Sequence, residues 1–156
     1  MKAVLQRVKH ASVTIEGDEE RSIGQGLCIL LGVAEQDTEQ DACQLARKCA
    51  ELRIFEDEAG KLNKSALELG LAALVVSNFT LQADTKKGRR PSFIRAAKQP
   101  LSQQLYQLFV QELAKAGIAP VKTGEFGAEM QVLLQNDGPV TLVLDTEEWK
   151  RAGGKE

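Results

Sequence analysis

Hydrophobic and polar positions along this chain change period several times, and each change marks an element. In MKAVLQRVKHASVTIEG, Val4, Val8, Val13 and Ile15 stand among polar residues over short spans, which predicts a strand pair ending at Gly17. GQGLCILLGV is an almost unbroken apolar run bounded by glycines, as expected of a buried strand. The period then becomes helical: after Thr38, a predicted N-cap followed by acids, Ala42, Leu45, Ala46 and Cys49 fall on one face. LRIFEDEAGKLN reads as a short strand, a turn at Gly60 and a return, and LAALVVSNFTL as a second strongly apolar strand. Pro100 opens a second helix whose face is Leu105, Leu108, Phe109 and Leu113 and which Gly117 closes. Segments near Val121, in MQVLLQ and in PVTLVLD read as the remaining strands.

Many strands, two separated helices and no regular βαβ alternation predict an α+β fold. Its core is expected to be a largely antiparallel, curved, barrel-like sheet with two main helices. A length of 156 residues fits a single domain. That domain is placed at residues 1–146, and residues 147–156 (EEWKRAGGKE) are expected to be a charged C-terminal tail that frays, with Trp149 able to pin part of it.

Charge narrows the choice of partners. The formal net charge is -2, so nucleic acid would have to be met by a local patch rather than by the whole surface. One such patch exists in TKKGRRPSF, with Lys86, Lys87, Arg89 and Arg90. Cys28, Cys43 and Cys49 are odd in number, lack a CxxC spacing and sit in apolar patterns, which reads as reduced thiols of a cytoplasmic protein. No signal-like segment and no apolar run of membrane-spanning length is present, so no membrane partner is expected.

Several chemistries lose their footing on the same inspection. His10 is the sole histidine, and nothing in its surroundings supplies the acid or nucleophile of a hydrolytic triad. The same shortage of ligands argues against zinc, so no metal and no cofactor is expected. GQGLCILLG lacks the lysine-hydroxyl pair of a phosphate loop. Glu56, Asp57 and Glu58 read as solvated turn acids, because neighbours on a strand end point apart.

Two stretches carry more. In VVSNFTLQAD an apolar strand ends in Ser77, Asn78, Phe79 and Thr80, so hydroxyls and an amide gather at the mouth of a core element. In LQNDGPVTLVL, Asn136-Asp137-Gly138-Pro139 forms a stiff corner. Proline cannot donate to a central ladder, so Leu133-Leu134 must be separated from Val140–Leu144, or Pro139 must open a second strand.

SNFTLQAD at 77–84 and NDGPVT at 136–141 resemble the paired signatures of the D-aminoacyl-tRNA deacylases, also called D-tyrosyl-tRNA deacylases. The likeness continues through LQRVKHASVTIEG, GLCILLGV, RIFEDEAGKLN, GRRPSF and TGEFGAEMQVLLQNDGPVT. At one position the chain departs from the family pattern: Asn78 stands where glutamine is usual, one methylene shorter with the same amide.

The resemblance implies a homodimer that hydrolyses D-aminoacyl-tRNA, and glycyl-tRNA as well. Gly138 and Pro139 of one subunit, joined by a cis peptide, would reach into the other's active site and exclude L-substrates. Backbone amides around Phe79 and Thr80 would meet the developing oxyanion, with the Ser77 hydroxyl helping to hold the loop and Asn78 completing the catalytic group. Thr80 would be either a nucleophile or a positioning group beside a substrate 2′-hydroxyl, and the absence of a neighbouring base favours positioning. Arg7 would stand near the Gly-Pro corner, Met130 would line the pocket, and the basic loop would meet tRNA phosphates. A different class, a nucleic-acid-binding or assembly protein with the same fold and little turnover, is the alternative.

Overall fold

The structure, a computed structural model, describes residues 1–17 and 19–153 of the chain. Its organising element is β1 (Lys2–Ile15), a single strand of 14 residues. On one side β1 pairs antiparallel with β8 (Met130–Asp145); on the other it pairs with β3 (Gly26–Gly32) at one end and β2 (Glu19–Ile23) at the other. β3 then pairs parallel with β6 (Ala72–Ser77), and β6 parallel with β7 (Val121–Thr123). The Arg21 guanidinium bridges the two ends of this path, donating to the Thr123 and Gly124 carbonyls at 3.0 and 3.1 Å. The sheet is thus a nearly closed barrel.

The α+β fold and the curved, largely antiparallel sheet match the expectation, and two parallel pairings, β3 with β6 and β6 with β7, make the sheet a mixed one. Two crossovers account for this. α1 (Glu39–Glu51), followed by the hairpin of β4 (Phe55–Glu56) and β5 (Leu62–Lys64), carries the chain from β3 to β6. α2 (Leu101–Ala116), ending at Gly117, carries it from β6 to β7.

Strand alternation sorts the core into two sides. Leu27, Ile29 and Leu31 of β3 and Ala73 and Val75 of β6 join Leu45, Ala46, Cys49, Leu105, Phe109 and Leu113 beneath the helices. Cys28, Leu74 and Val76 face the opposite way, with Val8, Val13 and Ile23. Burial raises the Cys28 thiol to about 11 and the Cys49 thiol to about 12, which keeps both inert.

Two sequence expectations are corrected. The opening segment is one strand and not a pair, because its polar interruption is a bulge: register shifts against β8 at Val8 leave Lys9 and His10 both exposed. Pro139 also neither opens a strand nor follows a break. It lies within β8 in a wide bulge, where residues 137–140 stand between Asn136, paired with Val8, and Thr141, paired with Gln6. A missing amide hydrogen costs no ladder bond there. Asn136 spans the bulge, its Oδ1 accepting from the Val140 amide at 2.8 Å and its Nδ2 donating to Thr141 Oγ1 at 3.0 Å.

The tail expected to fray instead forms α3 (Thr146–Ala152), while residues 154–156 lie outside the described residues. Trp149 packs against the core, with the Lys48 ammonium 5.8 Å from its ring centre. Lys150 donates to Asp41 Oδ2 at 2.8 Å, and Asp41 also closes the capping box with Thr38 at the start of α1. Burial alone would raise the Asp41 carboxyl; the bonds from Lys150, the Thr38 backbone and the Thr146 and Thr38 hydroxyls outweigh it and hold the group at about 2.

Candidate active site

β3 and β6 run parallel and end together, at Gly32 and Ser77, and a cleft opens beyond their carboxyl ends. Past Ser77 the chain folds into a tight 3-10 turn, Phe79–Gln82. The Asn78 amide donates to the Leu31 carbonyl at 2.8 Å, which ties the turn to β3. Gln82, only 4% exposed, donates from Nε2 to the Gly32 carbonyl at 2.8 Å. Gly32 is required by this close approach, since a Cβ would come within 2.9 Å of both the Asn78 carbonyl oxygen and Leu81 Cβ.

The cleft has a volume of about 480 Å³. Ser77, Asn78 and Phe79 form one wall, Ala97, Lys98, Gln99 and Ser102 a second, and Phe126 to Ala128 with Met130 a third. A neighbouring hollow of about 440 Å³ shares Ser77, Asn78, Ala128 and Met130 and continues along Val132 and Leu134 of β8. Among the described residues no aspartate, glutamate or histidine lines either space, and Lys98 is the one charged side chain that does. Apart from Lys98 the cleft offers hydroxyls, amides and backbone groups.

Thr80 is held close to this wall without lining it. Its hydroxyl donates to Asn78 Oδ1 at 2.5 Å, so Asn78 and Thr80 brace each other. The amides of Phe79 and Thr80 head the turn, positions whose N–H groups have no partner within a helix.

The second predicted constellation lies elsewhere on the same chain. Neither Gly138 nor Pro139 lines the cleft, and both are exposed. By register they stand opposite Arg7, three strand spacings of about 4.8 Å from β6. The Gly138-Pro139 peptide is cis, and Gly138 takes φ +134°, a conformation that side-chain-bearing residues rarely adopt. Arg7 is buried beneath this corner. Its Nε donates to the Asp137 carbonyl at 2.9 Å and its Nη1 to the Ile54 carbonyl at 2.8 Å, while the guanidinium lies 6.0 Å from the Phe55 ring centre.

Lys86, Lys87, Arg89 and Arg90 are exposed, and none lines the cleft. His10 sits on the outside of β1 opposite Gln135, away from the cleft. Among the described residues no cluster of three or more histidine, cysteine or carboxylate side chains could hold a metal ion. No helix there is long and apolar enough to cross a membrane.

Residues 4–145 match the family model described as D-Tyr-tRNA(Tyr) deacylase. The chain belongs to the D-Tyr-tRNA(Tyr) deacylase family. The match runs from β1 to the end of β8 and so takes in both constellations, leaving α3 beyond it. A D-aminoacyl-tRNA deacylase of Chloroflexus aurantiacus is 55% identical, covering 99% of this chain and 98% of the relative. One of Bacteroides thetaiotaomicron is 53% identical over 94% of this chain and 98% of its own length. Among solved structures, a c-Myc DNA unwinding element binding protein superposes with a TM-score of 0.86 at 45% identity, covering 93% of this chain and 98% of that one. A probable eukaryotic D-amino acid tRNA deacylase shares the fold, with a TM-score of 0.82 at 16% identity over 92% and 98% of the two chains.

Sequence reasoning missed the wall formed by Lys98, Gln99, Ser102 and Phe126. These residues come from the start of α2 and from the segment between β7 and β8, where no local pattern marks them. Arg7 carried a readable signal of its own: it continues the buried face of Ala3 and Leu5, where a charge must find fixed partners.

Proposed function

We propose that this protein is a cytoplasmic homodimeric hydrolase that cleaves the ester between a D-amino acid and tRNA. The observation that carries the reading is the placement of Ser77, Asn78 and Phe79 at the mouth of a cleft that, among the described residues, no carboxylate or imidazole lines. Water attacks the ester carbonyl, and the amides of Phe79 and Thr80 receive the developing negative charge. The proton lost by the water passes, with help from the neighbouring 2′-hydroxyl, to the departing 3′ oxygen. Thr80 serves as a positioning residue, because its hydroxyl is engaged by Asn78.

Chirality is judged by the partner's corner. Gly138 and Pro139 project from β8 and are fixed from below by Arg7, so they suit insertion into another protomer's cleft. β8 supports the pairing: it has a ladder partner on one side only, and Val132, Leu133 and Val143 are 37%, 69% and 71% exposed. A rigid main-chain wall would exclude an L-side chain and admit a D-side chain of any identity. Glycine has nothing to exclude, so glycyl-tRNA is a substrate too.

The test uses paired D- and L-tyrosyl-tRNA offered to protein pre-treated with chelator. Release of D-tyrosine alone is expected; equal release from both, or from neither, refutes the proposal. A second reading, a nucleic-acid-binding protein with little turnover, draws on Asn78 in the family's glutamine position and on the likeness to a DNA unwinding element binding protein. Tight nucleic-acid binding without ester cleavage would favour it.

A further inference from the structure

Residues 85–98 carry six lysines and arginines and no acid, in a chain whose net charge is -2. The segment rests on a fixed base. Asp84 and Ser92 exchange two backbone hydrogen bonds of 2.8 and 2.9 Å, and the Ala97 amide donates to the Val33 carbonyl at 2.9 Å. Its cations therefore project from a defined place, and Ala97 and Lys98 continue directly into the cleft wall. Three exposed apolar side chains accompany the cations, Phe79 in the cleft wall and Phe93 and Ile94 within the basic segment itself. Phe79 is 56% exposed, Phe93 36% and Ile94 81%, and the two rings meet edge to face with centroids 5.1 Å apart.

Exposed aromatic faces at the mouth of a cleft, joined to a basic segment, match the chemistry of a single nucleic-acid strand, whose bases stack and whose phosphates seek cations. We propose that Phe79, Phe93 and Ile94, with the loop cations from Lys86 to Lys98, form the platform that receives the unpaired 3′ strand of tRNA preceding the terminal adenosine. The inference rests on the deacylase reading and adds a division of labour. The platform sets capture of the strand, and the cleft performs the ester cleavage.

The experiment compares a D-tyrosyl RNA minihelix with D-tyrosyl-adenosine as substrates of the full chain and of Lys87→Glu/Arg90→Glu, two exposed residues outside the cleft. KM for the minihelix should rise tenfold or more in the variant, while kcat/KM for D-tyrosyl-adenosine stays within about twofold. The slope of log KM against log salt should flatten by about 1.4, since each single-strand phosphate contact contributes about 0.7. Phe93→Ala should raise the minihelix KM without changing that slope. Equal losses on both substrates, or an unchanged minihelix KM, would overturn the proposal. So would loss of binding to phosphatidylserine vesicles with minihelix KM intact, which would make the surface a lipid site. Should the unaltered protein cleave neither ester, binding of uncharged minihelix to the two proteins decides: weaker binding by the variant keeps the platform and removes only the deacylase reading.

Discussion

Arg7→Lys tests how the Gly138-Pro139 corner is held. The native guanidinium makes two bonds from one buried plane, to the Asp137 carbonyl at 2.9 Å and the Ile54 carbonyl at 2.8 Å. A lysine keeps the charge but not the fork, so it can serve one carbonyl and leaves the other without a partner. A charge-assisted hydrogen bond contributes about 1.5–3 kcal/mol, so the variant should lose about 2 kcal/mol of stability in urea unfolding at neutral pH. The same loss loosens the backbone proposed to exclude L-substrates. Because 1.4 kcal/mol corresponds to a factor of ten, the ratio of D- to L-tyrosyl-tRNA cleavage should fall by up to roughly 30-fold. The variant is assayed on both substrates well below its melting range. A destabilised variant with an unchanged ratio would refute the corner's role in chirality, and a variant as stable as the native protein would refute the bonding.

Three further outcomes follow from the geometry. Thr80→Ala should keep appreciable D-tyrosyl-tRNA cleavage, because the Thr80 hydroxyl is engaged by Asn78; complete loss with an unchanged circular dichroism spectrum would make Thr80 the nucleophile. Gly32→Ala should lower kcat for D-tyrosyl-tRNA when assayed well below its melting temperature, since its Cβ would meet the Asn78 carbonyl oxygen and Leu81 Cβ at 2.9 Å and shift the turn Phe79–Gln82 proposed to carry the oxyanion donors; an unchanged kcat would refute that role. The Asp41 carboxyl, held at about 2 against an ordinary value of 3.8, adds about 2 kcal/mol that is present above pH 4 and disappears as pH falls towards 2. Asp41→Asn should therefore be less stable than the native protein at pH 7 and equal to it at pH 2, measured by denaturant unfolding.

The features legible in the sequence were those set by neighbours. The Thr38 cap, the helical faces of α1 and α2 and the β4–β5 hairpin each depend on residues a few positions apart, and each appears where its pattern placed it. The parallel pairings of β3, β6 and β7 depend on which strands meet across a helix, and no local periodicity encodes that. The bulges in β1 and β8 were hidden for a related reason: alternation breaks at a bulge as it does at a turn, so the opening segment read as a strand pair. At the cleft, Ser77 and Asn78 stood out as polar groups closing an apolar strand. The facing wall of Lys98, Gln99 and Ser102 did not, because its residues acquire meaning only when α2 is laid across the sheet.

The pairing of β1 with β8 sets a temporal order on the protein's formation. The barrel's first strand has its longest partner in its last, with residues 16–129 synthesised in between. At about 5–20 residues per second, β1 waits roughly 6–23 s on the ribosome for β8. The helices and the β4–β5 hairpin can take shape during that interval, but the barrel cannot close until β8 has been made. Folding of the emerging chain should thus be limited by this late, long-range closure rather than by the formation of its helices.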